Sequence, residues 1–104
     1  MRGINKAIIS GNVSRDINYS TMPDESPVLS FTMASDRHAN GATVTAWVKV
    51  NVYIESLIEQ CRQHLRCSGY VIVDGELMNR DGRHGKLTEV RAKEIVFVKE
   101  GRKS

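Results

Sequence analysis

The sequence predicts a small five-stranded β-barrel in Greek-key order, all-β apart from one helix between the third and fourth strands. Three observations lead there. The stretch from Thr43 to Tyr53 alternates strictly between aliphatic and other residues, the period switches to that of a helix immediately afterwards, and two further strand-like runs follow, separated by glycine-containing turns. With 104 residues, 40% of them hydrophobic, the chain has material for one core. It is read as a single domain over 1–104, with the barrel at about 4–98 and a short basic end at 99–104.

The first strand is expected at Ala7-Ile8-Ile9, before Gly11, and the second where Val28, Leu29, Phe31 and Met33 recur with a period near two, ahead of a turn region from Asp36 to Ala42. In the third, Val44, Ala46, Val48, Val50 and Val52 alternate with Thr45, Trp47, Lys49, Asn51 and Tyr53. Successive side chains of a strand point to opposite faces, so the aliphatic set is expected to fill the core while Trp47, Lys49, Asn51 and Tyr53 share the other side. Leu57, Ile58, Cys61 and Leu65 then fall on one side of a helix, with Glu59, Arg62 and Gln63 on the other and Ser68-Gly69 at its end. Tyr70 to Met78 reads as the fourth strand. Asp81-Gly82 and His84-Gly85 supply turn residues, and Leu87 to Val98 reads as the fifth strand. That order and length match the OB-fold, whose open face and loops bind oligonucleotides or oligosaccharides; an SH3-like barrel lacks the central helix. Fold does not give function, which has to be argued from the site.

Composition narrows the function classes. The formal charge of +3 and a pI near 9.1 favour an anionic partner without amounting to a polybasic tail. The excess is concentrated late: Arg80, Arg83, Lys86, Arg91, Lys93, Lys99, Arg102 and Lys103 face only Asp81, Glu89, Glu94 and Glu100. Solvated surface and a track for phosphates are both open readings of that cluster. No apolar run is long enough to span a membrane or serve as a signal peptide, so a cytoplasmic protein without a membrane partner is expected. Cys61 and Cys67 form no disulfide framework and are expected to remain thiols. Cys61, His64, Cys67 and His84 superficially resemble a ligand set, but there is no C-x-x-C pair, and neither a metal nor a cofactor is expected. No nucleophile has motif context, no glycine-rich phosphate loop is present, and Asp16, Asp36 and Asp74 fall on different elements. The chain is therefore read as a binding protein rather than an enzyme.

These residues resemble the bacterial and phage single-stranded DNA-binding proteins. Arg2-Gly3-Ile4-Asn5-Lys6 followed by Ile8 to Asp16 is similar to that family's first strand and its exit, Phe31-Thr32-Met33-Ala34 to its second strand, Trp47 to Tyr53 to its third, and Tyr70 to Leu77 to its fourth. The similarity runs from Arg2 to about Val98. Two family aromatics have no counterpart: one falls near His38 or Ala39, the other at Gly82. The family's flexible acidic tail is also missing, the sequence ending Glu100-Gly101-Arg102-Lys103-Ser104; a shortened chain and a tail-less relative from a mobile element are both compatible with that.

The resemblance implies sequence-independent binding of single-stranded DNA in replication, recombination or repair, without covalent chemistry. Such binding needs flat aromatic faces for the bases and a cationic groove for the phosphates. From the residues alone Trp47 and Tyr53 could equally close a small second core; the family's spacing implies that they stack on bases. Lys49, Arg66, Arg80, Arg83, Lys86 and Arg91 are the phosphate candidates, with Lys6, Arg15 and Arg37 behind them. Tyr19 is placed in a loop and left out of the site. The family also implies self-association as a tetramer made of two dimers, a dimer being the rival, and contact with replication or recombination proteins. Two other readings stay open: a primosome-type OB-fold dimer for replication restart, and an adaptor whose open face binds protein, with Trp47 as anchor.

Overall fold

A computed structural model describes residues 1–101 and arranges them as β1 (Ala7–Thr21), β2 (Pro27–Ala39), β3 (Ala42–Val52), α1 (Glu55–His64), β4 (Tyr70–Gly82) and β5 (Gly85–Lys99). Arg102 and Lys103, counted above in the basic end, lie outside the described residues. The strands close into a barrel in the order β1-β2-β3-β5-β4, and β4 returns to pair with β1 from Ala7↔Gly75 to Asn12↔Tyr70. Every pairing is antiparallel except that of β3 with β5, which is parallel and confined to Val50↔Val90 and Asn51↔Arg91. This is the predicted OB-fold. No helix among the described residues is long and apolar enough to cross a membrane.

The core forms where the aliphatic faces of the strands converge. Leu29, Phe31 and Met33 of β2 meet Val50 and Val52 of β3, Val71 and Val73 of β4, and Val90 and Ala92 of β5, all buried. Leu57, Ile58 and Cys61 of α1 cover one end, as their helical spacing predicts. Removal from water pushes the Cys61 thiol up to about 12, so it stays neutral and packs as a small hydrophobe. The helix stops at His64, before the expected Ser68-Gly69 end. Leu65 is already extended, its N–H held 2.8 Å from the Cys61 carbonyl and its side chain buried on the same side as Cys61. Ser68, with φ 70°, then turns the chain, and its N–H and the Gly69 carbonyl bond to the backbone of Val13 at 2.8 and 2.9 Å. This tie falls where β1 shifts register between Val13 and Ile17.

The strands run further than their apolar patterns predict. β1 continues to Thr21, so Tyr19 is a strand residue paired with Leu29 rather than a loop residue. β2 and β3 continue as a hairpin arm beyond the barrel, closed by Asn40 and Gly41 at φ 51° and 76°, the positive pair that a tight type I′ turn requires. The arm corrects the expectation for Val44 and Ala46, which are exposed because no second layer lies above them; only Val50 and Val52 of the aliphatic set are fully buried. β4 and β5 form a second arm, turning at Arg83 and His84. The two arms account for a radius of gyration of 14.3 Å, above the roughly 13 Å of a compact chain this long.

Candidate nucleic-acid interface

Trp47 stands on the outer face of β3, opposite Ala34 of β2, a side chain too small to cover an indole. It is 69% exposed. Asn12, Arg15, Cys67 and Ser68 join Trp47 and Ala34 around a shallow groove of about 360 Å³, so the register shift that bends β1 also sets Arg15 beside the aromatic. Lys49, two residues along the same face, is half-buried and borders a second groove with Asp16, Asn18, Ser30 and Thr32.

Past Lys49 the face changes character. Asn51, expected on an open polar side, is 4% exposed: its amide donates to Glu89 Oε1 on β5 at 2.7 Å. Glu89 is also 4% exposed and receives a two-pronged bond from Arg80 of β4, Nε to Oε1 and Nη2 to Oε2, each 3.1 Å. Burial by itself would push the Glu89 carboxyl up. The hydrogen bonds from Asn51 and Arg80, with the positive charges of Arg80 and Lys49, outweigh it and hold the group below the ordinary glutamate value. Because the folded value lies below the unfolded one, the stabilisation is complete above the unfolded value of about 4.3 and is lost as pH falls through the folded value. We expect the parent's denaturant midpoint to fall more steeply than that of Glu89→Gln between about pH 5 and pH 3. Parallel curves in urea titrations followed by circular dichroism would show that the carboxylate contributes nothing.

Tyr53 lies just past the end of β3, half-buried, with the Arg91 guanidinium 5.8 Å from its ring centroid. Arg91 Nη1 also lies 3.6 Å from Glu76 Oε1. The parallel pairing of β3 with β5 and the antiparallel pairing of β5 with β4 thus bring Lys49, Asn51, Arg80, Glu89 and Arg91 onto one outer face.

The other predicted cations are dispersed. Arg83 is exposed at the tip of the β4–β5 arm, where Lys86 pairs with Asp81 at 2.7 Å, and Arg37 is exposed on the β2–β3 arm. Exposed pairs of the Lys86 kind are worth only about 0–1 kcal/mol, so a phosphate can displace the carboxylate. Arg66 points its Nη1 at the carbonyls of Arg62 and Leu65, 3.1 and 2.8 Å away, closing the helix end. Lys6 borders a separate groove with Asp74, Lys93 and Glu94. Among the described residues Lys6, Arg15, Arg37, Lys49 and Arg83 have no carboxylate within ion-pair distance.

Two features escaped the sequence reading. No spacing rule relates positions 51, 80 and 89; only the pairing of β5 with both β3 and β4 does. The second is Tyr19, whose ring lies under the Arg62 guanidinium at 4.4 Å and whose phenol is pushed up chiefly by burial.

Residues 4–98 match the model of the single-strand binding protein family. The "Single-stranded DNA-binding protein 2" of Chlorobaculum tepidum is 32% identical over 115 aligned positions, which take in all of this chain and 77% of the relative. A "Single-stranded DNA-binding protein" of Neisseria meningitidis is 29% identical over 82 positions, 74% of this chain and 47% of the relative. The chain thus spans about half the length of the Neisseria protein. Among solved structures, the Plasmodium falciparum SSB in complex with ssDNA aligns with a TM-score of 0.81 at 21% identity, covering 94% of this chain and 97% of the other. Rim1, a mitochondrial single-stranded DNA binding protein of S. cerevisiae, aligns with a TM-score of 0.82 at 22% identity, covering 97% and 100%. At that identity the two structures speak for the fold. The match across the barrel, together with a relative 32% identical along the whole chain, shows that the protein belongs to the single-strand binding protein family.

Proposed function

We propose that this chain binds single-stranded DNA without sequence preference, coating and protecting exposed strands during replication, recombination or repair, and that it acts by binding alone. The observation that carries the reading is Trp47: a large aromatic 69% exposed on a sheet face that it shares with an unpaired lysine two residues away. An exposed indole offers stacking to any base, and cations along the strand path gain from counterion release whatever the sequence. Trp47 and Tyr53 serve as base platforms for different nucleotides. Lys49 and Arg15 are the first phosphate contacts, with Arg37 and Arg83 on the two arms. Lys86, Arg91, Arg66 and Lys6 contribute less, since each is engaged or lies apart. The chain works in a reducing, cytoplasmic setting in which both thiols persist.

Self-association, as a tetramer of two dimers, belongs to the same reading. Ile8, Val96 and Val98 are 62%, 54% and 55% exposed, and Ile8 and Val96 lie on the outer side of the β1–β4–β5 sheet, an apolar surface that a neighbouring copy would cover. Contact with replication or recombination proteins would use surface left free by the DNA.

The test is a titration with oligo-dT, oligo-dA and duplex of equal length at two salt concentrations, following tryptophan fluorescence. We expect quenching, a preference for single strands over duplex and for dT over dA, and weaker binding as salt rises. Equal affinity for duplex and oligo-dT would overturn the coating reading, and no binding to any oligonucleotide at low salt would leave the protein-binding adaptor. Light scattering at micromolar concentration checks the assembly, and a strict monomer would remove it.

A further inference from the structure

We propose that Arg80 is a stacking platform for a nucleobase rather than a phosphate contact, its guanidinium plane fixed by the Glu89 carboxylate. The inference rests on the single-strand reading above and assigns a subsite within it.

The geometry separates Arg80 from every other cation on this face. Nε and Nη2 each lie 3.1 Å from a different oxygen of Glu89, the fork arrangement that makes guanidinium and carboxylate coplanar. Glu89 is held from the opposite side by Asn51 at 2.7 Å. The arginine is therefore clamped through a group that cannot itself swing away. Yet 48% of its side chain remains open to solvent, against 4% for Glu89.

Charge and shape then point in different directions. As a phosphate ligand Arg80 is poorly placed, because the pair carries no net charge and gains little from counterion release. Turning towards a phosphate would strip a buried carboxylate of its partner, the costly way to break such a pair. Lys86 and Asp81 contrast with it: both side chains are largely exposed, at 70% and 86%, and separate freely. As a flat surface, however, a paired guanidinium loses nothing. Its edge is satisfied, its face is weakly hydrated, and bases stack on arginine planes as they do on aromatic rings. Leu87, the cross-strand partner of Arg80, is 46% exposed and extends that surface with apolar area. Lys49 lies two residues from Asn51 on the same face of β3 and can take the phosphate of a nucleotide whose base lies on Arg80 and Leu87.

The experiment compares the parent, Arg80→Lys and Arg80→Ala for binding to oligo-dT and to an abasic deoxyribose-phosphate strand of equal length, over a range of salt. Lysine keeps the charge and an ion pair with Glu89 but has no plane. We expect both variants to lose roughly tenfold in the ratio of oligo-dT to abasic-strand affinity, and Arg80→Lys, which keeps the charge, to retain the parent's abasic affinity and salt slope. If Arg80→Lys matches the parent, while Arg80→Ala loses equally on both strands with a slope shallower by about 0.7, Arg80 is a phosphate contact and the proposal is overturned. Unchanged binding by both variants overturns it too. A variant that is partly unfolded loses affinity for both strands alike, so the ratio of the two affinities reads the base contact independently of stability. A parent that binds neither strand would instead overturn the single-strand reading, and the subsite with it.

Discussion

Replacing Trp47 and Tyr53 together by alanine is expected to reduce oligo-dT binding at physiological salt almost to nothing while leaving the barrel folded. Each stacked base is worth about 1–3 kcal/mol by alanine substitution, so the pair amounts to a loss between roughly 30-fold and roughly 20,000-fold if the two act independently. The effect should survive raised salt better than loss of any one cation, since stacking does not depend on counterion release. Stability should change little: Trp47 is 69% exposed, and Tyr53 lies beyond the end of β3 against the Arg91 side chain rather than in the core. Because the variant lacks the protein's sole tryptophan, binding is best followed by anisotropy of a labelled oligonucleotide. A folded double variant that binds as tightly as the parent would leave only the electrostatic groove.

The second large effect concerns the barrel itself. Gly75 of β4 pairs with Ala7 on one side and Ala92 on the other, at a register shift in the β4–β5 ladder. A Cβ built there would stand 2.1 Å from the Arg91 carbonyl oxygen, 2.9 Å from its carbon and 3.0 Å from the Ala92 Cα. All three are backbone atoms, so no rotamer change relieves the contact and two strands must separate. Gly75→Ala should therefore cost at least the upper end of the ~1–3 kcal/mol typical of overpacking. At about 4–8 °C per kcal/mol for a domain of this size, Tm should fall by at least about 12–24 °C. Gly3→Ala, with nothing within 4 Å of its added carbon, is the control and should melt like the parent. Equal melting of the two variants would mean that the strands adjust without cost.

The sequence carried the barrel because the core is written in alternation. Val50 and Val52 lie inward and Trp47 and Lys49 outward, as period two requires, and Leu57, Ile58 and Cys61 mark the helix by their spacing. Strand length and strand burial were not legible together: the β2–β3 arm keeps the alternation with no layer packed on it, so Val44 looked like a core residue, and β1 runs well past its apolar Ala7-Ile8-Ile9 start, so Tyr19 looked like part of a loop. The site was legible to the extent that it lies on one strand. Trp47 and Lys49 could be placed together from their spacing, whereas the Asn51–Glu89–Arg80 cluster joins three strands and becomes visible only once β5 lies beside β3. Arg80 was singled out for its charge, but what distinguishes it is a partner that its sequence neighbours do not reveal.

The return of β4 to β1 has a kinetic consequence. Ala7 lies at the start of the first strand and Gly75 in the fourth, with three whole elements between them, and the barrel cannot close until they meet. Pairings this distant in sequence place the protein among high-contact-order domains, which fold in milliseconds to seconds rather than microseconds. Until closure, β1 and β4 each present an open edge able to accept a strand from another molecule. Refolding at high concentration should therefore yield strand-exchanged oligomers, with β1 of one chain completing the barrel of the next, and their fraction should fall on dilution.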